Sequence, residues 1–175
     1  EKAFLTGVFS QPTTNAQPRK TRGLINAITT NTATTTHKAG ELTDDEVLDL
    51  MQKVWTAGGM RESETRTVIV NATLKRALSR IFLKDAGYRH TDRNVGGVNL
   101  QTFETDFGTC NIMLSGLMPV DKLVVASLEQ IKPAFLEVPG KGHLFAEPLS
   151  KTGAAEKVQL YCETGLIYGN EKAHG

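Results

Sequence analysis

The chain has 175 residues, of which 39% are hydrophobic, so it can bury a core and is too apolar to be a disordered tail. Its 20 basic and 19 acidic residues give a net charge of +1, which argues against a strongly basic nucleic-acid-binding surface. No apolar run reaches the length of a membrane span. Cys110 and Cys162 both lie in strand-like apolar contexts, which predicts two reduced, buried thiols.

The first 40 residues contain little regular structure by pattern. Glu1–Gly7 is typical of the last turns of a helix stopped by glycine, which suggests that a segment precedes it. Gln11–Pro18 is a polar, proline-flanked loop. Thr29–Gly40 is a threonine tract without apolar periodicity, and it predicts an extended or mobile connector.

A capping-box pattern marks the first long helix. Thr43 and Glu46 can each satisfy a free backbone donor at the helix start. Gly58 and Gly59 are expected to end this helix. One helical face is predicted to be buried, and its members are Val47, Leu48, Met51, Val54 and Trp55.

A strand and a second helix follow directly. Arg66–Val70 is a β-branched run that predicts a buried strand, and Asn71 is a favourable N-cap for the next helix. The buried stripe predicted for this helix consists of Leu74, Ala77, Leu78, Ile81 and Phe82. The resulting αβα unit is expected to cover one sheet with both helices.

The second half of the chain is predicted to be mostly strand. Lys84–Val98 is expected to be a long irregular loop, and Asn99–Thr105 with Gly108–Leu114 a hairpin around Asp106-Phe107-Gly108. Within the hairpin, Cys110, Ile112 and Leu114 alternate on one face. The further predicted strands are Leu123–Ala126, Ile131–Val138, which tolerates Pro133 only at an edge or a bulge, and Lys157–Cys162 with Val158, Leu160 and Cys162 on one side. Irregular interleaving of helices and strands predicts an α+β or mixed α/β class.

Motifs for catalysis and metal binding are not found. His37, His90, His143 and His174 each stand alone, without metal-ligand spacing. Gly140-Lys141-Gly142 lacks the rest of a phosphate loop, and Asp106-Phe107-Gly108 lacks the other kinase motifs. The sequence therefore predicts no catalytic residue, no metal site, no cofactor and no enzyme activity.

One segment combines both charges with an aromatic side chain. Tyr88, Arg89, His90, Asp92 and Arg93 lie in the predicted long loop. Two interpretations stay open: an ordinary exposed loop, or a contact loop between subunits, where Tyr and Arg are favoured anchors.

An ordered series of segments extends over nearly the whole chain. The segments are Arg19–Leu24 leading into Ile28, Leu42–Gly59, Val68–Phe82, Thr105–Gly108, Met118–Asp121, Lys151–Gly153, Glu156-Lys157, Glu163, Leu166 and Asn170–His174. This series resembles the major capsid proteins of tailed phages with the Hong Kong ninety-seven-like fold. The order of the segments carries the resemblance, and Lys151–His174 is its most specific piece. Gly165 and Leu166-Ile167-Tyr168 depart from the more polar pattern of the family.

The resemblance implies a division of the chain. Residues 1–28 would be the end of a spine helix with a peripheral-domain segment, and 29–41 a connector. Residues 42–146 would form the axial domain, and 147–175 the return strands of the peripheral domain. In such a subunit, Glu1–Gly7 and Lys157–Cys162 are expected to lie side by side.

The function implied by the resemblance is mechanical. Copies of the chain would assemble into rings and an icosahedral shell that encloses DNA without specific nucleic-acid binding. Further partners would be scaffold or decoration proteins, and no membrane is involved. The location would be the virion capsid, after synthesis in the cytoplasm of the bacterial host. Two alternatives stay open: a small hydrolase or transferase with a dispersed site, and a phage tail or adaptor binding module.

Overall fold

A computed structural model describes residues 1–14, 17–38, 41–62, 64–82, 91–95, 98–151 and 153–175. The described part contains both helices and strands, in agreement with the predicted α+β class. The helices are α1 Lys2–Thr6, α2 Leu24–Ala27, α3 Asp44–Thr56 and α4 Ala72–Phe82, with 3₁₀ turns at Leu128–Gln130 and Glu171–Ala173. The strands are β1 Arg66–Val70, β2 Thr91–Val95, β3 Val98–Thr105, β4 Gly108–Leu114, β5 Val124–Ser127, β6 Lys132–Leu136, β7 Phe145–Leu149, β8 Lys157–Tyr161 and β9 Glu163–Ile167.

The short helix α1 ends near Gly7, as predicted, but the glycine is needed for close approach. Gly7 has an ordinary φ of −60°. A Cβ there would lie 2.3 Å from the Ala3 carbonyl oxygen and 2.6 Å from that of Thr21. The side-chain amide of Asn26 donates to the carbonyls of Thr6 and Gly7, which satisfies acceptors at the helix end.

Both ends of α3 follow the sequence signals. Thr43 Oγ1 accepts from the Glu46 N–H, and the Glu46 carboxylate accepts from the Thr43 N–H, so the predicted capping box is confirmed. At the other end, Gly58 adopts a φ of +90°. The N–H groups of Gly58 and Gly59 donate to the carbonyls of Trp55 and Val54, which is the Schellman pattern.

The buried face of α3 differs from the predicted one, most of all at its last turn. Val47, Leu50, Met51 and Val54 are buried, Leu48 is only partly buried, and Trp55 is 54% exposed. The Trp55 ring lies beside the hairpin turn, with its centroid 6.4 Å from that of Phe107, so only part of its surface is covered. The prediction of a buried Trp55 was wrong. The apolar spacing in the sequence extends to Trp55, but the part of α3 that is buried against the sheet ends at Val54.

The strand β1 and the helix α4 form as predicted. Four of the five residues in β1 are buried. Asn71 caps α4, since its Oδ1 accepts from the Leu74 N–H at 2.8 Å. Leu74, Ala77 and Leu78 are buried, while Ile81 is only partly buried.

Five strands form one mixed sheet in the order β2-β3-β4-β1-β5, with β1 parallel to β4 and the other pairs antiparallel. Successive residues of β1 supply both faces. Val68 and Val70 pack with the buried faces of α3 and α4, as the αβα unit predicted. Ile69 packs on the opposite face with residues of α2 and β5. Both faces of β1 are therefore covered.

The hairpin of β3 and β4 is confirmed, with Thr105 paired to Gly108 across the turn. Cys110 and Ile112 are buried, but Leu114 at the end of β4 is exposed. The prediction of an irregular loop over Lys84–Val98 was wrong for Thr91–Val95, which pairs antiparallel with β3. Backbone pairing with β3 makes this polar segment a strand, although its sequence has no apolar alternation.

The remaining four strands form two separate two-stranded ribbons. β6 pairs with β9 and β7 pairs with β8, both antiparallel. Pro133 lies in a strand with one described neighbour, which agrees with the predicted edge position. β6 lies inside the range 42–146 expected for the axial domain, and β7 overlaps the end of that range. Both strands nevertheless pair with strands of the range 147–175.

The threonine tract contains no helix or strand over its described part, residues 29–38, and its beginning is fixed in place. The N–H groups of Thr29 and Thr30 both donate to the Glu171 carboxylate. Asn31 is buried, and its side-chain amide donates to the carbonyls of Lys172 and His174. The start of the connector is therefore anchored by the segment 170–175.

Candidate functional site

The ribbon of β7 and β8 has two chemically different faces. On one face, Ala146 lies opposite Leu160 and Pro148 opposite Val158, so every cross-strand pair is apolar. Leu160 is 74% exposed and Val158 is 65% exposed. We call Ala146, Pro148, Val158 and Leu160 the ribbon face.

The opposite face of this ribbon is closed by its own contacts. Phe145 lies opposite Tyr161, with ring centroids 5.3 Å apart. Lys141 Nζ lies 2.7 Å from the Glu147 carboxylate and 5.0 Å from the centre of the Phe145 ring. Exposed ion pairs contribute little energy, but these contacts do occupy Lys141, Glu147 and the two rings, while Leu149 on the same face is 43% exposed. The ribbon face, in contrast, presents apolar side chains to solvent.

An open groove of about 1240 Å³ lies beside the second ribbon. It is bounded by α1 and residues 7–14 and 17–21 on one side and by parts of β6 and β9 on the other. Exposed Val8, Phe9, Phe135 and Leu136 line it. Cys162, which directly follows β8, also lines the groove. The groove therefore adjoins the end of β8.

The predicted side-by-side arrangement of Glu1–Gly7 and Lys157–Cys162 needs correction. The partner of β8 is β7, and of the range 157–162 only Cys162 lines the groove with α1. The strand that faces α1 across the groove is β9, through Glu163, Thr164 and Gly165. Strand pairing between distant segments decides this, and the sequence carries no local signal for it.

The exposed large hydrophobic side chains are concentrated in two parts of the chain. Of the 13 exposed large hydrophobic side chains in the described residues, nine lie before residue 10 or between 132 and 167. The groove and the ribbons therefore carry most of the apolar surface that a partner could cover.

A comparison with known protein families identifies the class of protein to which this chain, with its exposed apolar side chains, belongs. The family model described as SU10 major capsid protein matches residues 1–175, the whole chain. The chain belongs to this family of phage major capsid proteins. A search of curated proteins finds no significant match.

Family membership gives this capsid protein a structural role. Capsid subunits oligomerise with other capsid subunits, and the virion capsid is their location. The family is structural, which implies a non-catalytic role. In the described ranges, no helix is long and apolar enough to cross a membrane.

The predicted contact loop is only partly within the described structure. Tyr88, Arg89 and His90 lie outside the described residues. Asp92 and Arg93 lie in β2, opposite Gln101 and Leu100 of β3. β2 is an edge strand of the five-stranded sheet, so these two residues are placed at a sheet edge and not in an irregular loop.

The two cysteines differ, which corrects the prediction of two buried thiols. Cys110 is buried, and burial raises the pKa of its thiol to about 11. Cys162 is exposed because it follows β8, a strand of a ribbon with no covering layer in the described residues. Neither is in a disulfide.

The described histidines occupy three unrelated environments. His37 Nδ1 lies 3.1 Å from the Glu46 carboxylate, and the His143 ring lies against Phe135. His174 is fully buried: its Nδ1 accepts from the Ser127 N–H, and its Nε2 lies 2.7 Å from the Tyr168 carbonyl. No group of three or more His, Cys, Asp or Glu that could hold a metal occurs in the parts of the chain that the structure describes.

Two motif fragments have structural explanations. Lys141, in the Gly140-Lys141-Gly142 turn, is engaged with Glu147 and Phe145. Gly108, in Asp106-Phe107-Gly108, adopts a φ of +93° at the hairpin turn, and the Phe107 carbonyl accepts from Arg66.

The ribbon face itself was missed as a site. The alternation of Val158 and Leu160 was visible in the sequence, but its exposure was not.

Proposed function

We propose that this protein is a self-assembling subunit of an icosahedral phage shell that encloses DNA. The observation that carries the proposal is the match of residues 1–175 to a capsid family, and the exposed hydrophobic side chains concentrated near the groove and ribbons support it. Many repeated contacts between different surfaces of identical subunits can close into rings and then a shell. DNA is held by enclosure, without a specific binding site.

We propose the Hong Kong ninety-seven-like fold for the chain, with the axial domain in the middle and the peripheral domain formed by both flanks. In support, the five-stranded sheet and the helices α3 and α4 lie within residues 44–127, and the two ribbons are separate sheets. β6 and β7 pair with β9 and β8, so the strand pairing favours a boundary near Ile131 over one at residue 146.

The edge strand β2 and the segment before it are proposed as a contact between subunits. Asp92 and Arg93 lie at the sheet edge, and Tyr88, Arg89 and His90 precede them in sequence. Unpaired backbone groups at an edge, with Tyr and Arg nearby in sequence, are suited to docking against another chain. Scaffold or decoration proteins are proposed as further partners, and synthesis in the bacterial cytoplasm is proposed to precede assembly. We propose no enzymatic activity for the protein.

Assembly is tested with the purified protein over a wide concentration range. Sedimentation velocity and negative-stain electron microscopy are expected to show capsomer rings or shells that form cooperatively as concentration rises. Because scaffold is a proposed partner, the series is repeated with scaffold supplied. Monomers at every concentration in both series would contradict the proposed function.

A further inference from the structure

The β7–β8 ribbon cannot account for its own stability. A two-stranded ribbon is marginally stable in water, because it has only one ladder of hydrogen bonds and no opposing layer. Its closed face relies on the exposed Lys141–Glu147 pair and the Phe145–Tyr161 ring contact. The ribbon face buries none of its four apolar side chains. Burial of this face by another molecule would supply the missing stabilisation.

The chemistry of the ribbon face excludes a charged ligand as its occupant. Its paired positions contain no ionisable or hydrogen-bonding side chain, only Ala146, Pro148, Val158 and Leu160. A nucleic acid would require cations at these positions, since phosphate contacts dominate such binding. An apolar surface of a protein is the complementary partner.

Family membership selects a second copy as that protein. Subunits of phage major capsid proteins oligomerise with other capsid subunits, and a surface of another copy can be apolar. Cys162 directly follows β8 and lines the groove, so the ribbon face and the groove are two different surfaces that are neighbours in sequence. Such a pair of different surfaces suits a head-to-tail contact between copies.

We infer that the ribbon face, together with the adjacent groove residue Cys162, is buried against a second copy of this chain during assembly. This inference rests on the proposed function, since it names the surface through which copies meet. The contact is apolar at its centre, and Lys151 and Glu156, which pair with each other at 2.7 Å, lie in the connection between β7 and β8.

The native cysteines provide a direct assay. Cys162 is exposed in the isolated chain and Cys110 is buried, so a maleimide dye should label only Cys162. On assembly, labelling of Cys162 is expected to slow by about tenfold or more, because the thiol becomes accessible only when the contact opens. A Cys162→Ser variant should remain unlabelled, which verifies that Cys110 does not react.

Matched charge substitutions on neighbouring positions of β8 test the face itself. Val158→Lys and Leu160→Lys place a charge on the ribbon face and are expected to weaken assembly by about tenfold or more each. Gln159→Lys adds the same charge to the same strand on the opposite face, across from Glu147, and should assemble normally. Thermal unfolding of the unassembled variants verifies that the core is intact.

The outcomes separate this inference from the proposed function. If the wild-type protein does not assemble with or without scaffold, both are wrong. If it assembles but Cys162 stays reactive, or if Val158→Lys and Leu160→Lys assemble like the Gln159→Lys control, the shell forms through other surfaces. The ribbon face is then open to a different protein, and only the inference is overturned. The inference is supported if Cys162 is protected from labelling on assembly and if Val158→Lys and Leu160→Lys lose assembly while Gln159→Lys keeps it.

Discussion

The strands β1 and β8 are both five residues long and contain apolar side chains, yet they lie in opposite environments. In β1, Val68 and Val70 pack on α3 and α4, while Ile69 packs on the other face of the sheet. In β8, Val158 and Leu160 are exposed, and β7 is its one described strand neighbour. The difference lies in the number of layers and neighbours, not in strand propensity. The first region holds the subunit together, and the second is available to hold subunits to each other.

The largest contrast is expected between leucines of the two regions. Leu78→Ala should lower the free energy of unfolding by about 2–5 kcal/mol, because Leu78 is fully buried against the sheet. Leu160→Ala should change the unfolding of the unassembled subunit by less than about 0.5 kcal/mol. Urea unfolding monitored by circular dichroism measures both. Comparable losses would show that the ribbon is part of the subunit core.

A smaller loss is expected from the cap of α4. Asn71→Ala removes the acceptor for the Leu74 N–H and the donor to the Pro119 carbonyl, and it should cost about 1–2 kcal/mol. Thr73→Ala, on the exposed side of the same turn, is the matched control and should have little effect. Equal effects of the two substitutions in urea unfolding would contradict a capping role for Asn71.

The next effect depends on pH. Burial lowers the pKa of His174 in the folded protein below its ordinary value of 6.5, although the Tyr168 carbonyl, Glu129 and Glu171 act in the opposite direction. The unfolded chain therefore takes up the proton first, so stability is full above pH 6.5 and declines as pH falls toward the lowered pKa. Protonation would also put a hydrogen on Nδ1, which accepts from the Ser127 N–H.

Unfolding in urea from about pH 7.5 down to about pH 5 measures this decline, in a range where most carboxylates stay ionised. A His174→Asn variant should be less stable at neutral pH but show a flatter pH dependence. The exposed His143 provides the control, since His143→Gln should keep the wild-type slope. An unchanged slope in the His174 variant would assign the pH dependence to another group.

The smallest effect is expected on the closed face of the ribbon. Glu147→Gln removes the ion pair with Lys141, and because both side chains are about half exposed, the cost should be below about 1 kcal/mol. The wild-type protein at high salt should resemble the variant at low salt, since screening weakens the same pair. A larger loss in thermal unfolding would mean that the ribbon is stabilised by its polar face.

Local signals in the sequence were sufficient for the first region. The capping box at Thr43, the Asn71 cap and the hairpin at Thr105–Gly108 each depend on residues three or four positions apart, so their physics is contained in the sequence. The alternation in β8 was also visible. In these elements, type and approximate bounds were predicted correctly.

What the sequence could not provide was the set of partners between distant segments. Thr91–Val95 became a strand through its pairing with β3, and Trp55 became exposed because of where α3 ends against the hairpin. Cys162 was predicted to be buried because alternation identifies a face but not whether another layer covers it. The ribbon face was missed as a candidate site for the same reason.

The segment 170–175 has a consequence for solubility at high concentration. Val125 and Gly175 exchange two backbone hydrogen bonds, at 2.7 and 2.9 Å, along the outer side of β5. An open sheet edge is a template on which further strands can add without limit, as in amyloid fibrils. With this edge occupied at Val125, the five-stranded sheet is protected there from uncontrolled growth. In a protein that gathers with many of its own copies, this position of the sheet is therefore unavailable to strands of other copies.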